Sequence, residues 1–81
     1  MIQDLTDHAR ARMRQRGIPA AVVADLLAYG RAEHDHRGGT IVYFDREARA
    51  FARRSSRAYL VLASDGSVIT VGHRYKRIAK A

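Results

Sequence analysis

Ala58-Tyr59-Leu60-Val61-Leu62-Ala63-Ser64-Asp65-Gly66-Ser67-Val68-Ile69-Thr70-Val71-Gly72 is the stretch that decides the fold. Two apolar runs flank Ser64-Asp65-Gly66-Ser67, and an Asp-Gly pair between such runs is a strong hairpin signal. If Asp65-Gly66 is the two-residue turn, Leu62 faces Ile69, Leu60 faces Val71 and Ala58 faces His73. The other face then carries Tyr59, Val61, Val68, Thr70 and Gly72. Both faces are mostly apolar, so the pattern leaves open which one is covered by helices.

Working outward, Arg31 to His36, the turn Arg37-Gly38-Gly39 and Thr40 to Phe44 read as a preceding hairpin. Residues 45–54 are ambiguous: Ala48, Phe51 and Ala52 have helical spacing, yet the segment reads equally as a loop over the sheet edge. Gln3 to Arg16 has no Gly or Pro and reads as a helix ended by Gly17. Pro19 suits the first turn of a second helix running to about Tyr29, with Gly30 as its stop. Helices first and antiparallel strands after them give an α+β two-layer fold: an N-terminal helix pair packed on a four-stranded antiparallel sheet, as one domain over residues 1–81.

In the first helix Ile2, Leu5, Ala9 and Met13 form an apolar stripe, with Arg10 and Arg14 opposite. Arg12 and Arg16 fall within or beside the stripe, and His8 flanks it on the Arg12 side. Two arginines turned towards the protein body need anionic or carbonyl partners, because a buried unpaired charge is costly.

Composition narrows the function. Fifteen Lys and Arg against eight Asp and Glu leave +7, and thirteen of the fifteen are Arg. Such an excess attracts polyanions, and arginine makes planar two-pronged contacts with phosphate. There is no cysteine, which excludes disulfides, thiol catalysis and cysteine-ligated zinc. No apolar run approaches the ~18 residues of a membrane span. The start, Met1-Ile2-Gln3-Asp4-Leu5, lacks the layout of a signal peptide, so the expected location is cytoplasmic.

The run His8-Ala9-Arg10-Ala11-Arg12-Met13-Arg14-Gln15-Arg16-Gly17-Ile18 resembles the HARxRMxxRGI signature of a small bacterial family of unknown function. The resemblance continues through Leu27-Ala28-Tyr29-Gly30-Arg31 and Ile69-Thr70-Val71 to the basic tail. That family is usually grouped with RelE-like and BrnT-like ribonuclease toxins. The grouping implies a RelE-like fold, metal-independent cleavage of RNA (often on the ribosome) without a cofactor, and neutralisation by an antitoxin. It is a grouping by fold, and fold alone does not fix function. The residues that carry over are the signature's own: His8, Arg12, Arg16 and the region of Thr70.

Metal-free RNA cleavage needs a base for the ribose 2′-hydroxyl, an acid for the departing 5′-oxygen and cations for the phosphorane. The catalytic candidates are His8, Arg12, His73 and Tyr75; the RNA-binding candidates are Arg16, Arg74, Lys76, Arg77, Arg53 and Arg54. His73-Arg74-Tyr75-Lys76-Arg77 interleaves cations with an aromatic ring, which suits a nucleic-acid strand but reads equally as a solvated tail. His8 reads equally as a structural partner of Asp4, and Arg12 and Arg16 as ties to the sheet. Arg46, Arg49, Arg53, Arg54 and Arg57 make a rim that guides RNA or docks an acidic antitoxin segment. His34 and His36 alternate onto one strand face, a weak metal signal, and the expected metal is none. The alternative to a ribonuclease is a non-catalytic module that binds RNA or an acidic partner. A thin core and exposed strand edges leave room for a homodimer.

Overall fold

The computed structural model describes residues 4–34, 38–48 and 57–74. Its elements are α1 (Asp7–Arg16), α2 (Ala20–Tyr29), β1 (Arg31–His34), β2 (Thr40–Tyr43), β3 (Ala58–Leu62) and β4 (Val68–His73). The strands form one antiparallel sheet in the order β1-β2-β3-β4, which makes β1 and β4 its edges. Helix α1 lies along β4 and α2 crosses β3 and β2. This is the α+β arrangement of a helix pair on a four-stranded sheet that the sequence implies. No helix among the described residues is long and apolar enough to cross a membrane.

Helix α1 starts later than the sequence pattern suggests, at Asp7 rather than Gln3. Asp4 to Thr6 is claimed by the sheet: Val68 N–H donates to Asp4 O (2.8 Å) and Thr6 N–H to Val68 O (3.1 Å), making a parallel bridge of Leu5 with Val68. Thr6 then caps the helix, its hydroxyl oxygen accepting from Ala9 N–H at 3.1 Å. The far end closes at Gly17, whose φ of 63° is left-handed, while Ile18 N–H reaches Met13 O at 2.9 Å. Because Leu5 runs parallel to β4, α1 ascends the same strand and its last turn arrives near Gly72.

Helix α2 begins after Pro19, which occupies the cap position with extended backbone. Its apolar face, Val22, Val23 and Leu26, is buried against Val42, Leu60 and Val71 of the sheet, with Ala9 and Ile18 joining the same core. At the helix exit, Gly30 N–H donates to Leu26 O at 2.8 Å. A Cβ at Gly30 would collide with the Leu26 carbonyl oxygen and with Val42 Cγ1. The backbone angle of −69° suits any residue, so the constraint here is space alone. Gly30→Ala should therefore cost roughly 1–3 kcal/mol by overpacking, and a thermal melt should fall by about 4–8 °C per kcal/mol. An unchanged melting temperature would contradict this packing.

The register explains the two faces. Tyr59 pairs with Gly72, Leu60 with Val71 and Ala58 with His73, as the hairpin pattern implies. The turn differs. Gly66, at φ 88°, closes a three-residue loop in which Gly66 N–H donates to Ala63 O and Ala63 N–H to Ser67 O, each at 2.9 Å. Within it the Ser67 hydroxyl and N–H bond the Asp65 carboxylate, holding it below the usual carboxylate range. The extra loop residue shifts the pairing by one, and a bulge at Ile69 restores it, so Leu62 faces Val68 and not Ile69. Val68 thereby turns into the core, fully buried, instead of sharing the face of Tyr59. The helices cover the face of Leu60, Val42, Val68 and Val71. The opposite face carries Tyr43, Tyr59 and Gly72 in one cross-strand row, with Arg31 at its β1 end. In the ambiguous segment, Asp45 Oδ1 accepts from Ala48 N–H (2.8 Å) in a turn, and Ala48 is buried. Residues 49–54 lie outside the described residues.

Candidate nucleic-acid interface

His8, Arg12 and Arg16 recur every fourth residue of α1 and so line one side of it. His8 is exposed and Arg12 half-buried. Arg12 Nε donates to His8 Nε2 at 3.4 Å, and Arg12 Nη1 donates to Gln15 Oε1 at 3.1 Å. The partner of His8 is thus the guanidinium one turn on, not Asp4. No ion pair engages Arg12 among the described residues, so its remaining N–H groups are available to an incoming anion.

Arg16 ends in a different place. It reaches round the edge strand β4 to the face of the sheet opposite the helices, where its Nη1 lies 3.1 Å from the point a Gly72 Cβ would occupy. Tyr59 Oη and Cε1 stand at the same 3.1 Å from that point. Instead of a carbonyl or carboxylate partner, Arg16 has the bare backbone of a glycine and the edge of a phenol ring.

Arg74, two residues beyond Gly72, also serves the open face. Its guanidinium stacks 5.4 Å from the centre of the Tyr43 ring and donates from Nη2 to Phe44 O at 2.9 Å. Its backbone N–H holds Arg57 O at 2.8 Å. Beneath it, Tyr43 is buried, and its hydroxyl has no hydrogen-bond partner among the described residues. His73 points the other way, towards the helix-covered side opposite Ala58.

The sequence-predicted residues are therefore only partly brought together. His8 belongs to the first turn of α1, at the Val68 end of β4, whereas His73 is at the other end. Four residue-to-residue steps of ~3.3 Å carry the strand from Ile69 to His73, about 13 Å. Arg53, Arg54, Tyr75, Lys76 and Arg77 lie outside the described residues. Sequence reading put Tyr59 and Gly72 on one face but missed Tyr43 and Arg31 as partners in the same row. A signal for it existed in Gly72, since a glycine inside a strand marks close approach by another group. Of the histidine pair read as a weak metal signal, His34 Nδ1 lies 3.0 Å from Thr40 Oγ1, and His36 is outside the described residues. Among the described residues no three His, Asp or Glu side chains converge to hold an ion.

On the other side of α1, a shallow groove of about 500 Å³ is floored by Leu5, Met13, Ile18 and Pro19, with Arg10 and Arg14 among its lining residues. It includes none of the catalytic candidates.

Compared with protein-family models, curated proteins and solved structures, the chain matches none.

Proposed function

We propose that this chain is a metal-independent, RNA-cleaving toxin of a toxin–antitoxin module. The observation that carries the reading is the His8–Arg12 pair: an imidazole within hydrogen-bond reach of a guanidinium that has no anionic partner. A phosphodiester arriving at Arg12 competes for the guanidinium and draws it from His8 Nε2, freeing the lone pair that a base requires. His8 then takes the ribose 2′-hydroxyl proton, the 2′-oxygen attacks phosphorus and the bond to the 5′-oxygen breaks. Arg12 offsets charge on the phosphorane as a fixed cation. The products are a 2′,3′-cyclic phosphate and a 5′-hydroxyl. Tyr75, the candidate acid for the leaving oxygen, lies outside the described residues. The antitoxin in this reading is an acidic protein that competes for the basic surface.

The test is direct. Purified chain incubated with single-stranded RNA in excess chelator should yield cyclic-phosphate ends. Binding without cleavage, weakening with salt in proportion to the phosphates contacted, would instead establish the non-catalytic module. The engaged Nε2 of His8 is the observation that favours that second reading.

A further inference from the structure

We propose that Arg16 and Tyr59 form, over the bare backbone of Gly72, a receptor for a phosphate oxygen of the RNA backbone. It rests on the reading of RNA as ligand, but not on cleavage.

Gly72 is not required by its own conformation, since its φ lies outside the left-handed range in which glycine is favoured. Its role is spatial. Two side chains from separate elements, one at the end of α1 and one in the middle of β3, bring Nη1 and Oη to within 3.1 Å of the same point above it. Neither side chain is engaged elsewhere: among the described residues no side-chain hydrogen bond or ion pair joins Arg16 or Tyr59 to anything, including each other. Arg16 is exposed and Tyr59 half-buried, while Gly72 beneath them is buried, so an anion reaches the pair from the Arg16 side. A guanidinium and a phenol packed on the same glycine, with both side-chain donors free, are complementary to an oxyanion.

The setting favours phosphate. Arg74 lies on the same face two residues on and adds positive potential, although its guanidinium already bonds Phe44 O. Glu33 is held by Arg31 at 2.8 Å on β1, the opposite edge of the sheet. The placement of Arg16 is fixed by the fold, because pairing of Asp4–Thr6 with β4 sets α1 alongside the strand. A strand of RNA held here by one phosphate can extend along α1 towards Arg12 and His8, which lie one and two turns back.

Gly72→Ala is the decisive substitution, because its methyl crowds Arg16 Nη1 and Tyr59 Oη out of their places against the glycine. The nearest atoms are the flexible end of Arg16 and the tip of Tyr59, so the fold can accommodate it. The probe is a ten-nucleotide 2′-O-methyl RNA, which lacks the attacking hydroxyl and reports binding alone. Titrated into the ¹⁵N-labelled full chain, it should shift the Gly72 amide and the Arg16 side-chain resonance more than those of Arg10 and Arg14. Affinity should fall about tenfold in Gly72→Ala and several-fold in Tyr59→Phe, as expected for loss of a charge-assisted contact. Inorganic phosphate should produce the same local shifts at higher concentration, and acetate should not.

Gly72→Ala binding like wild type, or equal shifts at all arginines, would overturn the receptor. Acetate acting as strongly as phosphate would overturn it too, in favour of a carboxylate-bearing protein partner. If the alanine chain fails to fold, Tyr59→Phe decides: undiminished affinity sinks the proposal. Wild type that binds the probe locally but cuts no RNA refutes the ribonuclease and leaves the receptor standing.

Discussion

His8→Ala should lower RNA cleavage by roughly 10²–10⁴-fold, the usual contribution of a positioned general base, while RNA affinity stays within a few-fold. The asymmetry follows from where the side chain sits. His8 is exposed in the first turn of α1, and its one side-chain hydrogen bond is the 3.4 Å contact from Arg12, so removing it costs little packing. Affinity is carried by the cations, which remain. Arg12→Gln should lose rate and affinity together, because in the proposed mechanism Arg12 both binds phosphate and releases the histidine. Single-turnover cleavage and fluorescence anisotropy, measured on the same two variants, separate the roles. A His8→Ala chain cutting at the wild-type rate would remove His8 from the mechanism and shift attention to the segment after β4.

Phe44→Ala should destabilise the protein most. Phe44 follows β2, is 1% exposed and is the largest fully buried side chain among the described residues. Truncating a buried phenylalanine costs about 3–5 kcal/mol. At roughly 0.05–0.15 kcal/mol per residue, that is a quarter or more of the stability of an 81-residue chain. The Phe44 carbonyl also accepts from Arg74, so a shift of this backbone loosens the cation stacked on Tyr43. Urea denaturation should show a clear drop in midpoint with little change in slope. A loss below about 1 kcal/mol, the scale of a surface change, would mean that Phe44 is not part of the main core.

Local rules carried the fold a long way. Gly17 and Gly30 stop their helices, Asp65-Gly66 turns the last hairpin, and alternation alone pairs Tyr59 with Gly72. What escaped the sequence is non-local or cooperative. The start of α1 depends on Val68 claiming Asp4 and Thr6, which no pattern within the helix reveals. The position of Val68 depends on a longer turn and a bulge whose shifts cancel, each invisible without the other. The covered face was ambiguous because tyrosine, valine and glycine on the open side look as apolar as a core. The candidate site was half legible: the spacing of His8, Arg12 and Arg16 put them along one helix, but their destinations were not readable. Arg16 meets Gly72 and Tyr59 only because distant segments fold together.

The bridge between Leu5 and Val68 ties the first described residues to the last strand of the sheet. Local helix formation is fast, but contacts of such separation must wait for the intervening chain. On a ribosome, α1 can coil early yet has nothing to dock on until β4 has emerged. Arg16 therefore meets Gly72 only when synthesis has passed the sheet, and the nascent chain lacks the assembled basic surface until β4 has been made.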